Sequence, residues 1–299
     1  MKKIIFCIFC LSIILFGNYT NHCLWGFTSH EKINRTAVFT LPEKMLGFYK
    51  RNIDYLTTHA TDPDKRSFVD KKEAAKHFIN LEKFKEKSYD SIPKKWKYAV
   101  ARYSEDSLEK FGVLPWHVIL MLNKLTDAFK NKDSSEILYL SANIGHYIAD
   151  ACVPLHTTMF YNGKTTGEKG VHSFFETRVP EVESENFKFW VGRAEYVENP
   201  AIEIWKIIKE SNAEVDTALK IYVKLNSEFP AEKKSSIKRK GKKNVKVFSE
   251  EFSKEFNKEA DDMVERKMQK AIFMVGSFWY TAWVNAGQPD LRNIQSNKK

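Results

Sequence analysis

The 299-residue chain contains little glycine, proline or cysteine, with 12, 9 and 4 residues respectively. This composition excludes collagen-like, disordered and disulfide-stapled proteins. Only one long apolar run is present, so a polytopic membrane protein is excluded as well. Hydrophobic residues nevertheless make up 43% of the chain, which is enough for one sizeable core or two small ones. The formal net charge of +10 favours anionic partners such as phosphate esters, nucleic acid or lipid head groups.

The single apolar run lies at the amino terminus, where Lys2 and Lys3 precede the apolar residues 4–16. This pattern is typical of a secretory signal peptide and is short for a spanning helix, an uncleaved anchor being the alternative. We therefore predict a signal peptide over residues 1–24 and a secreted or periplasmic protein. Cleavage before Trp25 would remove three of the four cysteines, and Cys152 alone could form no internal disulfide.

The positive charge is concentrated in one short stretch. Loss of Lys2 and Lys3 with the leader lowers the net charge to +8, and residues 233–246 carry eight Lys or Arg and no acid. The rest of the mature chain is therefore neutral. We predict an exposed basic loop at 233–246 that contacts an anionic membrane or nucleic acid, an ordinary solvated loop being the alternative.

Helix signals are common and strand signals are scarce. Ser134–Asp150 begins with a capping pattern and repeats apolar residues at helical spacing, and long helices are also predicted at Asn199–Lys224 and Phe252–Val284. The sequence thus predicts an all-α fold, a multi-helix bundle in a single domain over residues 25–287. A polar tail follows at 288–299, and we expect a monomer.

Histidines and carboxylates recur at a helical spacing of four residues. His146 pairs with Asp150, and His172 pairs with Glu176, while His156 lies between the two pairs. Residues four apart point from one face of a helix. Imidazole nitrogen and carboxylate oxygen are the ligands that zinc takes when sulfur is absent. One such pair would be an ordinary feature of a helix surface, but two pairs with a third histidine between them indicate a metal site.

Further candidate ligands lie upstream, in the segments WGFTSH, HATDPDK and AAKHFIN, which contain Trp25, His30, Asp62, Asp64 and His77. As an ordered set with the downstream pairs, these residues resemble the ligands of the superfamily that contains zinc-dependent phospholipase C and the single-strand-specific zinc nucleases. The resemblance covers Trp25 to Glu176 by motif. It implies an all-α fold with a three-zinc site at one end of the bundle.

The resemblance also implies a role for each residue. The first zinc ion would be held by Asp62, His77, His146 and Asp150, the second by His156, His172 and Glu176, and the third by Trp25, His30 and the shared Asp150. Asp62 is preferred to Asp64 because its distance from His77 is nearer the family's spacing. Trp25 would bind through its free amine and carbonyl. Cleavage after Gly17 suits signal peptidase better than cleavage after Leu24, and it would deny Trp25 that free amine.

The activity implied is a secreted zinc-dependent hydrolase of phosphoric diesters, phospholipase C-like, in which zinc-bound hydroxide attacks phosphorus and Asp62 orients it. A single-strand-specific nuclease or 3'-nucleotidase on the same zinc site is the alternative. Glu176 in the second pair is phospholipase-like, whereas the short spacing from Trp25 to His30 is nuclease-like. The substrate is therefore left open between phospholipid and single-stranded nucleic acid. An alternative of another class is a non-catalytic binding protein stabilised by zinc.

Overall fold

The computed structural model describes residues 26–163, 168–241, 243–292 and 294. The predicted signal peptide and Trp25 lie outside the described residues. The prediction of an all-α fold is confirmed, because helices dominate the described chain and the only strands in it form one two-stranded sheet. None of the helices in these ranges is both long enough and apolar enough to cross a membrane.

The helices follow the chain as α1 Phe27–Ala37, α2 Glu43–Arg51, α3 Ile53–Thr58, α4 Asp62–Ser67, α5 Lys71–Ala74, α6 Trp96–Tyr103, α7 Glu105–Phe111, α8 Leu114–Lys130, α9 Ser134–Ala151, α10 Val171–Ser173, α11 Val179–Glu183, α12 Pro200–Asn212, α13 Val215–Glu228, α14 Glu250–Glu259 and α15 Met263–Asn285. A π-helical turn, Phe174–Arg178, joins α10 to α11. The strands are β1 Ser235–Lys240 and β2 Lys243–Phe248.

The two long helices predicted in the carboxy-terminal half are each divided. Asn199–Lys224 corresponds to α12 and α13, and Phe252–Val284 corresponds to α14 and α15. Asp261 and Asp262 both adopt left-handed backbone conformations with φ near +50°. Aspartate tolerates this conformation because its short side chain bonds locally, so the pair ends one helix and begins the next.

The basic stretch at 233–246 is a β-hairpin rather than a loop. Strands β1 and β2 are antiparallel, with Ser236 opposite Val247 and Ile237 opposite Lys246. Most of its side chains are exposed, but Val245 and Val247 of β2 alternate with polar residues, which favours a strand. Gly241 supplies the positive φ that the tight turn needs. The lysine content concealed this alternation in the sequence.

Helix α9 is the centre of the bundle. Its amino terminus is capped by Asp133, whose carboxylate accepts a hydrogen bond from the Glu136 N–H at 3.0 Å. Nearly every residue of the helix after Glu136 is buried, because α1, α3, α8 and α15 all pack against it. The indole N–H of Trp279 donates to the Ser141 carbonyl at 3.0 Å, which fixes α15 on this helix. Cys152, a free thiol, is buried directly after it.

The predicted polar tail begins against the body of the protein. The indole N–H of Trp283 donates to the Pro289 carbonyl at 2.9 Å, and Leu291 is only 1% exposed. The first residues after 287 therefore contribute to the core.

One close helix contact depends on a glycine. A Cβ added at Gly276 in α15 would lie 1.9 Å from Oγ1 of Thr40. That hydroxyl cannot move away freely, because it donates to the Ala37 carbonyl at 2.7 Å. Glycine inside a helix normally destabilises it relative to alanine, so this glycine is explained by the approach of the chain around Thr40.

We predict that Gly276→Ala lowers the free energy of unfolding by about 1–3 kcal/mol, because the added methyl group overpacks the contact. Chemical denaturation measures this change. Thr40→Ala in the same chain should restore part of the loss. Gly47→Ala is the matched control, since Gly47 lies on an exposed helix face and its Cβ would meet no atom closer than 3.6 Å. Equal effects of the two glycine substitutions would contradict the contact.

Candidate metal centre

Helix α9 brings His146 and Asp150 to the interior from one face. Both side chains are fully buried, with His146 Nε2 3.3 Å from Asp150 Oδ2. The Nδ1–H of His146 donates to the Ala60 carbonyl at 2.8 Å. A carbonyl can only accept, so this bond assigns the proton to Nδ1 and leaves the Nε2 lone pair directed at the neighbouring carboxylates.

A second group lies where the chain turns after α9. His156, in the helical turn Pro154–Thr157, donates from Nδ1 to the His77 carbonyl at 2.7 Å, so its Nε2 lone pair faces Glu176 Oε2 at 3.1 Å. Glu176 lies in the π-helical turn, and His172 one turn earlier places Nε2 3.3 Å from the same oxygen. A π turn inside a helix is frequently a functional feature.

Two more histidines complete the cluster. His77 places Nδ1 3.0 Å from Asp150 Oδ2 and also 3.0 Å from His146 Nε2. His30, from α1, stacks on His146 with 3.8 Å between ring centroids, and its Nε2 is 3.5 Å from Asp150 Oδ1. With His156, four histidines therefore lie within 3.5 Å of the Asp150 carboxylate.

Three groups in this cluster could hold metal ions, since the donor atoms of each lie within 4.8 Å of one another. The groups are His30, Asp64 and His146; His77, His146 and Asp150; and His156, His172 and Glu176. The last group unites the three residues predicted for one ion. The other two share His146.

The structure corrects the choice of aspartate. Asp62 lies outside the cluster, where its carboxylate is bound by His59 at 2.5 Å and Lys65 at 2.9 Å. Asp64 is 1% exposed and places Oδ1 3.3 Å from His146 Nε2 and 3.7 Å from His77 Nδ1. Helix α4 begins at Asp62, and two residues along a helix turn a side chain by about 200°. The two aspartates therefore point to opposite sides, which spacing from His77 could not reveal.

Trp25 lies outside the described residues, but the residue that follows it is fixed beside the cluster. The Gly26 N–H donates to the Glu176 carbonyl at 3.1 Å, and the Ser29 hydroxyl donates to the same carbonyl at 3.2 Å. A Cβ on Gly26 would lie 2.8 Å from Thr177, so glycine is required for this approach.

Several buried polar atoms of the cluster lack hydrogen-bond partners, and this shows whether the residues fit a cation. Both oxygens of Asp64, Asp150 Oδ1, Glu176 Oε1 and the Nε2 atoms of His77 and His172 are buried without a hydrogen-bond partner. Buried polar groups are normally hydrogen-bonded, so such a concentration of lone-pair donors needs an explanation. Cations that bind nitrogen and oxygen ligands would satisfy all of them at once. The donor set therefore fits metal ions.

The same burial perturbs the titration of the cluster. Burial lowers the pKa of His146, but the charges of Asp150 and Asp64 outweigh it and raise this pKa to about 10. Burial raises the pKa of Glu176 to about 8. Burial opposes ionisation of Asp150 too, but His146 and His156 hold its pKa well below the ordinary value. Without metal, protons take up part of the charge that cations would supply.

A buried network supports the candidate ligands and carries no signal in the sequence. Glu73 in α5 is 3% exposed and accepts hydrogen bonds from the Tyr147 hydroxyl, from Arg66 at 3.0 Å and from Lys76 at 2.6 Å. The Tyr147 ring packs edge-on against His77 and His146. The network therefore joins the segment that carries Asp64 and His77 to α9.

In overall fold the chain is similar to clostridial alpha-toxin. The alpha toxin of Clostridium absonum is 11% identical, and the match covers 90% of this chain and 66% of the toxin with a TM-score of 0.49. The alpha-toxin of an avian strain of Clostridium perfringens is 13% identical, with 88% and 64% covered and a TM-score of 0.49. The chain thus spans slightly less than two thirds of the length of these toxins.

No family profile and no curated protein matches the sequence. At 11–13% identity the likeness to the toxins is one of fold alone, and neither a ligand nor an activity follows from it.

We predict that Asp64→Asn lowers zinc affinity at least about 100-fold, since loss of a mere outer-shell partner already costs 10–100-fold. Competition with a chelating dye measures the affinity. Asp62→Asn is the matched control and should leave it unchanged, because Asp62 contacts His59 and Lys65 instead. The opposite ranking would restore Asp62 as the ligand.

Glu176 gives a prediction for the protein stripped of metal. Its folded-state pKa of about 8 exceeds the ordinary value of 4.5, so the folded chain holds a proton that the unfolded chain releases. The free energy of unfolding should therefore fall as pH rises between these values. Glu176→Gln should remove this contribution and gain stability relative to wild type toward pH 8.

Denaturant unfolding across this pH range, in the presence of a chelator, measures the difference. Zinc should reverse the ranking of the two proteins, since a neutral amide is a poor substitute for an anionic ligand. Parallel stability curves for wild type and Glu176→Gln would show that Glu176 does not hold the proton.

Proposed function

We propose that this protein is a secreted zinc-dependent hydrolase of phosphoric diesters that acts in the manner of phospholipase C. The observation that carries the proposal is the set of three adjoining ligand groups, two of which share His146, with buried lone pairs that lack partners. A structural zinc site needs one closed set of four ligands. Adjoining sets are the arrangement used to hold both the attacking and leaving oxygens of a phosphoryl group.

The donor types support zinc and a count of three ions. The cluster offers five imidazoles and three carboxylates, whereas magnesium and calcium take oxygen ligands almost alone. Three groups of donors accommodate three ions, with Trp25 proposed as a further ligand of the one near His30. Two of the imidazoles are already fixed in orientation, because His146 and His156 donate from Nδ1 to backbone carbonyls.

When bound, zinc lowers the pKa of a coordinated water to about 7 and polarises the phosphoryl oxygens. The protein residues position the reactants around it. Asp64 takes the orienting role that the sequence predicted for Asp62, because its carboxylate faces the histidines. Asp150, between His30, His77 and His146, holds the two sides of the cluster together. Three divalent ions against three carboxylates leave a positive site that favours an anionic substrate.

The cleft beside the cluster supports a phospholipid substrate. A small pocket of about 110 Å³ borders His156 and His172 and is lined by Phe78, Leu155 and Tyr161. Tyr161 packs edge-on against His172 with 5.5 Å between ring centroids. Apolar walls beside a phosphate-binding centre suit a diester that carries an apolar group.

The alternative substrate, single-stranded nucleic acid, is supported by the basic hairpin. Arg239 and Lys246 are exposed and have no carboxylate partner in the part of the chain that the structure describes. Such residues contact phosphates in series. A nuclease or 3'-nucleotidase on the same centre would use the hairpin for its polymer, whereas a phospholipase would use it against an anionic membrane.

A parallel assay of the zinc-loaded protein on short-chain phosphatidylcholine and on single-stranded DNA tests the proposal. We expect hydrolysis of the phosphatidylcholine, abolished by a chelator and restored by zinc. Preferred cleavage of the DNA would establish the nuclease. Inertness toward both substrates, or fewer than two zinc ions per chain, would favour the non-catalytic binding protein.

Asp150→Asn should lower activity at least about 100-fold, because Asp150 contacts four histidines of the cluster. Zinc content, measured on the same sample, should fall with it. Asp54→Asn is the matched control, since the Asp54 side chain is 94% exposed and pairs with Arg35 at the surface. Full activity in Asp150→Asn would exclude Asp150 from the metal centre.

A further inference from the structure

An apolar groove of about 510 Å³ opens on the surface between α6, α8 and the start of α12. Its walls include Trp96, Val113, Trp116, Ile119 and Leu120. Large apolar side chains remain in contact with solvent here, with Trp96 38% and Leu120 49% exposed. A contiguous apolar patch of this kind marks an interaction surface.

The aromatic wall of the groove is held by ring packing and a hydrogen bond. The Trp116 ring lies between Trp96 and Trp205, with 5.8 Å and 5.2 Å between centroids. Its indole N–H donates to the Pro93 carbonyl at 3.1 Å. The floor is His117, whose ring meets Tyr147 of the ligand-supporting network at 4.6 Å. A preformed groove loses little conformational entropy when it binds.

Two lysines line the groove, and none of the described residues that line it carries a carboxylate. Lys94 Nζ lies 4.2 Å from the Trp205 ring centroid and donates to the Tyr89 carbonyl. Lys95 lines the rim, and Lys124 follows Leu120 by one helical turn. Neither Lys95 nor Lys124 forms an ion pair with the described residues, so both charges are available to an anionic partner.

The groove borders the cleft over the metal centre. Val113, in its wall, donates its N–H to the Ala75 carbonyl at 2.7 Å, and Leu114 donates to the Phe78 carbonyl. Phe78 in turn lines the cleft beside His156 and His172. A surface that covers the groove would therefore lie next to the cleft.

We propose that this groove docks the protein on the surface of an anionic phospholipid bilayer. Trp96 and Leu120 enter the head-group region, while Lys95 and Lys124 face the lipid phosphates. Tryptophan surrounded by lysine suits the boundary between lipid and water, because the indole ring can enter the apolar side while the ammonium groups stay in water. The inference rests on the proposed function for its purpose, namely access of the cleft to lipid. The groove and its charges support the docking independently.

The charges distinguish this partner from a second copy of the chain. A symmetric dimer through the groove would bring two lysine rims together. Like charges held in contact destabilise such an interface. An acidic amphipathic peptide would satisfy the same chemistry and is therefore an outcome of the test.

The test is co-sedimentation of the zinc-loaded protein with vesicles of phosphatidylcholine, alone or mixed with phosphatidylglycerol. We expect binding to the mixed vesicles, weakened by salt. The double variant Trp96→Ala, Leu120→Gln should lower the partition coefficient about tenfold or more. Lys95→Glu should weaken binding to the mixed vesicles and reduce its salt dependence. Trp190→Ala is the matched control, because Trp190 is 88% exposed and lies outside the groove.

Turnover of a soluble short-chain substrate should stay at the wild-type level in these variants, which separates docking from catalysis. If wild type lacks that activity but still binds the vesicles through Trp96 and Leu120, the proposed function fails and the docking stands.

Equal vesicle binding by wild type and the double variant would overturn the inference. So would loss of binding only in the hairpin variant Arg239→Glu, Lys246→Glu. Absence of vesicle binding together with a dimer, or an acidic peptide complex, that Trp96→Ala disrupts would also overturn it.

Discussion

The structure depends on the burial of His146 and Asp150 in the middle of α9. Ionisable groups removed from water are costly unless opposite charges and hydrogen bonds surround them. Three neighbouring elements supply part of that surrounding: α1 brings His30, α4 brings Asp64 and the turn after α9 brings His156. The contacts that pack these elements around α9 are therefore the same contacts that build the candidate metal centre.

No disulfide joins these elements in the described chain, where Cys152 is a buried free thiol. The connection between distant segments is instead polar. Glu73, Arg66 and Tyr147 join α4, α5 and α9, and the Ala60 and His77 carbonyls orient two histidines. Bound metal would add to this stability, since ions that bind only the folded chain favour it.

Apolar side chains and positive charge lie on different parts of the protein surface. The neutral body places apolar side chains at the cleft beside His172 and in the adjoining groove at Trp96. The basic hairpin holds most of the excess positive charge and connects α13 to α14. In the proposed function, attraction for phosphate would come from bound cations, and attraction for an extended anionic surface would come from lysines outside the site.

Local patterns account for much of the architecture. The period of apolar residues and the Asp133 cap predict α9 almost to the residue, because both signals act within a few turns of one helix. The spacing of His172 and Glu176 likewise predicts that both point one way. Prediction from the sequence fails where two local patterns overlap. In the hairpin, the many lysines conceal the alternation of apolar and polar residues that is typical of a strand. At Asp261, a left-handed turn divides a long helical period of apolar residues into two helices.

The sequence by itself determined the all-α class and the residue types of the candidate centre, since helical period and ligand chemistry are properties of short segments. The tertiary structure decided which carboxylate joins the histidines. Asp62 and Asp64 are both aspartates and lie at nearly the same distance along the chain from His77. The direction of α4, however, points Asp62 to Lys65 and Asp64 to His146. It also decided which lysines surround an apolar groove, because that grouping joins α6, α8 and α12 across the chain.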